Sequence, residues 1–318
     1  LAGPTSRNLT PLVGREAEMV LLVERWTQVK AAFGHVVVLS GEAGIGKSRL
    51  VAAVQAQVAQ EPHACLAGRC TPYDQHAAWS PLTTALQRFL QWRPHEPAAA
   101  QRAALEQAVQ QYGLTLDTTV PGLARLLGSN LPEAPYDLPP LDPQHQRQQI
   151  LTALLTLLTA VARRQPLVFI LEDLHWSDPS TLELLERLVD SGPTAAIYTL
   201  VTCRPPFQLA WVGRAHVTPL VVPRLSPAQA ATLIRRVAGS TALPSEVLHH
   251  LVQQTDGVPL FLEELTKTVL ESDALHQPAG QPLDLAARLP LPIPTTLQDT
   301  LMARLDHLGT AKRLSQVG

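Results

Sequence analysis

Eight residues, Gly41-Glu-Ala-Gly-Ile-Gly-Lys47-Ser48, carry the clearest chemistry in this chain, because they meet the spacing G-x-x-x-x-G-K-[ST] at each fixed position. Glycines let a backbone curl so that its N–H groups point at phosphate oxygens with no Cβ in the way. A lysine placed like Lys47 reaches β- and γ-phosphates as a point charge, and a hydroxyl placed like Ser48 suits Mg²⁺. A second stretch lies far downstream, where the apolar run Leu167-Val-Phe-Ile-Leu171 ends in Glu172-Asp173. Acids at the carboxyl end of a buried strand lie where ligands bind in open α/β sheets, and here they would serve the same Mg²⁺ as Ser48. Two jobs await them, binding the metal and orienting the attacking water. Neighbours on a strand face opposite ways, so the two carboxylates are expected to differ, and the residues leave open which does which. A third stretch is the run Ala195 to Cys203, which ends in Arg204. A guanidinium at that strand end can tell a tri- from a diphosphate. His175, just after the acids, either caps its loop or meets the γ-phosphate region.

The elements that must position these residues are legible around them. The β-branched run from Val36 to Leu39 predicts a buried strand feeding the glycine loop. Arg49 to Gln60 predicts a helix with Leu50, Val51, Val54 and Val58 on one face, and its N-terminal dipole adds to anion binding. Upstream, a helix is expected over 16–33, with Met19, Leu22, Val23 and Trp26 turned inward. A second strand is expected at 64–69. Prolines at 72, 81, 94, 97, 121, 132, 135, 139 and 140 chop the region 72–140 into short helices, of which 81–92 and 98–112 are the clearest. We read it as a helical insertion in an α/β core, with Trp79, Phe89 and Trp92 as packing residues. A long helix follows to Arg164, with Asp142 as N-cap and Pro143 at its first position. After the acids, a helix beginning near Pro179 presents Leu182, Leu185 and Leu188. A last strand is expected at 217–222. From Leu225 the pattern is helical only: Ser226 caps 227–238, a second helix runs 245–255, and the turn Asp256-Gly-Val-Pro-Leu260 leads into a third.

Composition bounds the rest. The chain has 318 residues, 46% hydrophobic and 4% aromatic, which suits a helix-rich globular protein of about two domains. A net charge of -2 and a pI near 6.6 provide no global basic field for nucleic acid or anionic lipid. Three cysteines, Cys65, Cys70 and Cys203, form an odd, sparse set that fits a reducing compartment, so a cytoplasmic location is expected. The N-terminus lacks a secretory pattern, and the longest apolar stretch, 150–162, is too short to span a bilayer. A first residue other than Met suggests a piece of a longer protein.

Taken together, Pro11-Leu-Val-Gly-Arg-Glu16, the glycine loop through Arg49-Leu50, Leu171-Glu-Asp-Leu-His-Trp-Ser-Asp178, Thr202-Cys-Arg-Pro205 and Asp256-Gly-Val-Pro-Leu-Phe-Leu-Glu-Glu264 resemble the STAND class of signal-transduction ATPases, within the AAA+-related P-loop group. The likeness is to ATPase modules of bacterial regulators, such as those beside adenylate/guanylate cyclase or LuxR-type DNA-binding domains, and it spans nearly the whole chain. It implies a P-loop NTPase fold, a parallel sheet flanked by helices, with a helical insertion and a small helical lid. The implied divisions are a linker over 1–10, a core over 11–223 with the insertion at about 72–140, a lid over 224–276, a linker over 277–294, and the start of a winged-helix-like domain over 295–318.

The resemblance also assigns roles. Walker A residues Gly41, Glu42, Ala43, Gly44, Ile45, Gly46, Lys47 and Ser48, with Arg49, would contact ATP or ADP; Val13 and Gly14 would line the adenine side; Pro259 would touch the nucleotide from the lid. Lys47, Arg204 and the Walker B acids Glu172 and Asp173 would be the catalytic set, and Ser48, Asp173 and Glu172 the metal set. Glu172 stands where one version of the motif has a second Asp, so the metal carboxylate stays unassigned. The expected activity is slow ATP hydrolysis in a switch module, with self-association in the ATP state, neighbouring signalling domains as partners, and neither membrane nor direct nucleic-acid binding. Two other classes stay open: a continuously cycling AAA+ ATPase acting on DNA, and a scaffold whose nucleotide never turns over.

Overall fold

The computed structural model describes residues 10–73, 77–92, 97–127 and 142–271. The expected linker before Thr10, the linker over 277–294 and the expected winged-helix-like segment over 295–318 lie outside those residues, as do 74–76, 93–96 and 128–141 of the expected insertion.

Among the described residues the sheet has five strands, β1 (His35–Ser40), β2 (Ala64–Arg69), β3 (Leu167–Glu172), β4 (Ile197–Cys203) and β5 (Val217–Val221), in the order β2-β3-β4-β1-β5. All paired strands are parallel. A parallel sheet covered on both faces demands continuous apolar strands. The interior strands meet that demand: β4 is buried along its whole length, and β1 and β3 along all but their last residue. Edge strand β2 alternates buried and more exposed positions, and edge strand β5 is buried only at Val217. Pro219 sits in edge strand β5, where its missing N–H is tolerated and discourages pairing with another chain.

Helix α1 (Glu16–Lys30) precedes β1, and α2 (Lys47–Val58) follows it. On α2 the expected face is the buried one: Leu50, Val51, Val54 and Val58 are all at most 2% exposed. Burial of each such side chain contributes about 2 kcal/mol. On α1 the buried face is Glu18, Leu22, Trp26 and Val29, one residue round from the expected Met19 and Val23. The region after β2 holds α3 (Ser80–Phe89), α4 (Ala98–Gln111) and α5 (Leu116–Leu126). Helix α3 comes so close to β2 that a Cβ on Gly68 would stand 2.6 Å from the Pro81 carbonyl oxygen. Trp79 is buried, and Phe89 and Trp92 pack against the same core.

The long helix is α6 (Pro143–Arg164), and the Asp142 carboxylate accepts from the Gln144 and His145 amides, as the sequence predicts. Helix α5 lies on α6 at Gly122, where a Cβ would stand 2.6 Å from Gln149 O and Ala153 Cβ. Helix α7 (Pro179–Asp190) is capped by Asp178, which is 1% exposed yet fully engaged by the Ser180 and Thr181 amides and the Thr181 hydroxyl. Its buried face is Thr181, Leu184, Leu185 and Leu188; Leu182 is only half-buried. Helices α8 (Pro227–Ala238), α9 (Ser245–Thr255) and α10 (Pro259–Glu271) follow β5, and α8 opens with a capping box between Ser226 and Gln229. Among the described residues no helix is long and apolar enough to cross a membrane.

The chain gathers into two compact units. Among the described residues, one holds 10–16, Gly41–Leu50 and 222–271; the other holds Ala17–Ser40 and the described part of Val51–Val221, with the sheet in it. The glycine loop is therefore compacted with the helical segment, although it is covalently the continuation of β1.

At the amino end of β1, His35 Nε2 lies 2.8 Å from Thr218 Oγ1, with Arg25 Nε donating to the same hydroxyl. Burial, with Arg25 and His216 nearby, lowers the His35 pKa from 6.5 to about 4. The folded protein thus resists a proton that the unfolded chain accepts below pH about 6.5. Stability from this group is complete above that pH and is lost as the pH falls toward 4. Thermal unfolding across this range should show the decline, and His35→Asn should flatten it.

Candidate functional site

In the first unit, the loop is built by backbone geometry that few residues adopt. Gly44 and Gly46 have φ of 75° and 101°. A Cβ at Gly46 would meet nothing within 4 Å, so that side of the loop is open. Gly44 is confined: a Cβ there would stand 3.1 Å from Leu260 Cβ and 3.3 Å from Val258 Cγ1. Helix α2 begins at Lys47, so its N-terminal amides and positive dipole end belong to the loop. Lys47 is 7% exposed, and its ammonium donates to the Gly41 and Glu42 carbonyls, both at 2.8 Å. Ile45 is buried against Gly41, while Ala43, Gly46 and Arg49 are half-buried and Ser48 is exposed.

The same unit brings Val13, Gly14 and Pro259 to the loop's surroundings. Val13 is buried in the apolar cluster of the helical segment with Leu225, Ile234 and Leu262. Gly14 has φ 63°, a conformation that favours glycine, and the Gln229 side chain lies against it. Pro259 opens α10, and the next amide, Leu260 N–H, donates to the Gly44 carbonyl at 3.2 Å.

Residues that the sequence reading did not single out hold this arrangement. Arg15 is 3% exposed; its Nη2 donates to the carbonyls of Ile45 at 3.1 Å and Pro223 at 2.7 Å. Arg224 forms a two-pronged pair with Glu42 and also reaches Asp256. The available signal was Arg15's place directly after Gly14; nothing local marked Arg224 or Asp256.

In the second unit, parallel register brings Arg69, Glu172 and the end of β4 to one edge of the sheet. Arg69 pairs with Glu172 in register, and its guanidinium meets Glu172 Oε2 at 3.2 Å and Asp173 Oδ2 at 3.4 Å. The two carboxylates differ, as expected, but not through strand alternation. The strand stops at Glu172, and Asp173 has φ 58°, with its N–H donating to Thr202 Oγ1 at 2.8 Å. Leaving the strand turns Asp173 back, so that one cation touches both carboxylates. His175 packs against Trp176, ring centroids 5.1 Å apart. Arg204 follows β4, and its Nε is buried without a hydrogen-bond partner among the described residues. Ser40, the residue before the loop, is the register partner of Cys203, the residue before Arg204.

In the first unit, the open glycine side of the loop, the buried Lys47 and the exposed Ser48 hydroxyl suit a phosphate group. In the second unit, the carboxylates at the end of β3 are oxygen donors of the kind that suits Mg²⁺, and Arg204 follows β4 with a buried guanidinium nitrogen. The family model described as "AAA ATPase domain" matches residues 11–201. The chain belongs to the AAA ATPase domain family. It is also 28% identical over 314 residues to an uncharacterized protein of Rhizobium meliloti (strain 1021), covering 96% of this chain and 29% of that one, so the chain spans less than a third of that relative.

Among solved structures, a Signal Transduction ATPase with Numerous Domains (STAND) protein with a tetratricopeptide repeat sensor from Pyrococcus horikoshii aligns at TM-score 0.43 and 17% identity, over 87% of this chain and 35% of that one. A chain of the E. coli MS115-1 HORMA:CdnC:Trip13 complex aligns at 0.46 and 12%, over 87% of each chain. A chain of Drosophila ORC bound to DNA aligns at 0.47 and 12%, over 85% of this chain and 58% of that one.

Arg15 is buried on two main-chain carbonyls, so its removal leaves both without a charged donor. Arg15→Ala should therefore destabilise the protein by about 2–3 kcal/mol in urea titrations, and Arg15→Lys should recover only part, because an ammonium lacks the planar fork.

Proposed function

We propose that this AAA ATPase domain is an ATP-binding, slowly hydrolysing switch module of a STAND-like regulator, in which nucleotide state governs the helical segment 224–271. The observation that carries the reading is the direct seat of α10 on the loop: Leu260 N–H bonds Gly44 O, and Val258 and Leu260 crowd Gly44. A loop that must reshape around phosphates cannot do so without moving what rests on its tip. In a constantly cycling motor the same contact would slow every turnover; in a switch it is the output.

The reading gives each site residue a role. Lys47 exchanges its two loop carbonyls for phosphate oxygens when a triphosphate enters, which makes the ammonium a sensor of occupancy as well as a clamp. Ser48, with Asp173 and Glu172, would hold Mg²⁺, which supplies charge neutralisation at the β- and γ-phosphates. Arg69 keeps the two acids paired with a cation until they are needed. One acid would hold the metal and the other would orient water, and Arg204 would stabilise the departing phosphoryl charge. Val13, Gly14 and Pro259 would border the base. Self-association in the ATP state and neighbouring domains of a longer chain complete the switch.

Lys47→Ala should abolish nucleotide binding or turnover, read by calorimetry and phosphate release; wild-type affinity in that variant overturns the site. Asp173→Asn should keep the nucleotide and lose at least tenfold in release rate, whereas undiminished release moves that role to Glu172. Strong stimulation by DNA would replace the switch with a cycling DNA-directed ATPase.

A further consequence concerns Arg69. Because it occupies both carboxylates, Mg²⁺ must displace it. Arg69→Ala should lower the Mg²⁺ concentration that gives half-maximal turnover by about three- to tenfold, as expected for losing a partly exposed competing ion pair.

A further inference from the structure

The second residue of the phosphate loop is acidic. Glu42 is exposed, and a carboxylate there sets negative charge on the very loop that would take phosphate. Its charge is met by Arg224, which lies between β5 and α8. Arg224 Nη2 reaches Glu42 Oε1 at 2.9 Å and Oε2 at 2.7 Å, while Nε reaches Oε2 at 3.1 Å. This forked contact fixes orientation as well as charge. The same guanidinium binds Asp256 through Nη1.

Asp256 is not a loose partner, since its backbone is set by the turn. It ends α9 in the left-handed region, φ 48°, and Gly257 follows at φ 73°. A Cβ at Gly257 would stand 2.3 Å from Leu225 O, and Leu225 N–H donates to Gly257 O at 2.9 Å. The turn is thus pinned beside Arg224 by main-chain contacts. Two residues on, Pro259 and Leu260 start the helix that rests on Gly44. One arginine therefore ties the front of the loop, Glu42, to the turn that carries the helix seated on its tip, Gly44.

We propose that the Glu42–Arg224–Asp256 bridge is a latch that sets how long nucleotide stays on the loop. Closed, it keeps α10 seated and neutralises the loop's own acid. Opening it unseats α10 and lets the nucleotide leave. The inference rests on the reading of this loop as a nucleotide site, and it assigns to Arg224 a positioning role: it touches no reacting atom.

The test is the release rate of the fluorescent methylanthraniloyl derivative of ADP, chased by excess ADP in stopped flow, with amide exchange of the nucleotide-free protein read over 258–262. Arg224→Met should release the probe about three- to tenfold faster, the range of a networked, partly exposed ion pair. Asp256→Asn should act in the same direction but less. Glu42→Gln separates tether from charge, because it removes the loop's acid together with the bridge. Faster release in that variant supports the latch; slower release in Glu42→Gln beside faster release in Arg224→Met makes Arg224 a charge screen only, and overturns it. Release rates within 1.5-fold of wild type in both variants also overturn it. Faster exchange at Leu260 in Arg224→Met supports the latch by a route that needs no nucleotide. If the wild type binds no ADP derivative, the site reading falls, and unchanged exchange at Leu260 would then overturn the latch independently.

Discussion

A loop that turns its amides toward an anion turns its carbonyls away from it, and those carbonyls need donors of their own. Much of the first unit answers to that constraint. Lys47 takes the carbonyls of Gly41 and Glu42, Leu260 N–H takes Gly44, and the Arg15 guanidinium takes Ile45 while also holding Pro223. Three of the loop's outward groups are thus satisfied from within or from the N-terminal segment, and one from the helical segment. The loop's shape is maintained by its surroundings, which is why the chain before α1 and the chain after β5 are compacted around it.

Charge is arranged on the same principle in both units: in each, one arginine answers a pair of acids. Arg69 spans Glu172 and Asp173, and Arg224 spans Glu42 and Asp256. Each group of three carries one net negative charge, and each keeps carboxylates close together that would otherwise repel. Both arginines are partly exposed, so the pairs add little to global stability and are cheap to open. Cheap interactions are suited to a site that must rearrange. The costly contacts lie deeper, in Asp178 with its helix cap and in the unbroken apolar strands.

The parts legible in the sequence were those whose cause is local. The loop spacing, the run Leu167–Leu171, the cap at Asp142 and the cap at Ser226 depend on neighbours a few residues away, and each stands where the sequence puts it. Helix α5 was hidden because Pro121 lies inside it and reads as a breaker, whereas packing on α6 at Gly122 supports the helix. The cause of the difference between the two carboxylates was not legible, because a strand end cannot be fixed to one residue and Asp173 falls just beyond it. Arg69 could not be paired with Glu172 before β2 was known to lie beside β3. Arg15 and Arg224 act on main chain or side chains far along the chain, and sequence spacing carries no record of such partners.

The interleaving of segments has a consequence for how the molecule is made. Gly41–Leu50 belongs to a unit whose remaining described members are the residues up to Glu16 and those from Val222 to Glu271, with 51–221 in between. On the ribosome the glycine loop emerges long before Pro223, Arg224 and Leu260, the residues that brace it. Contacts so distant in sequence are slow to close and carry a large loop entropy. Newly made chains therefore pass through a period in which the sheet can assemble while the loop lacks its outer supports. Until Leu260 has been made, the Gly44 carbonyl lacks the amide that it accepts from.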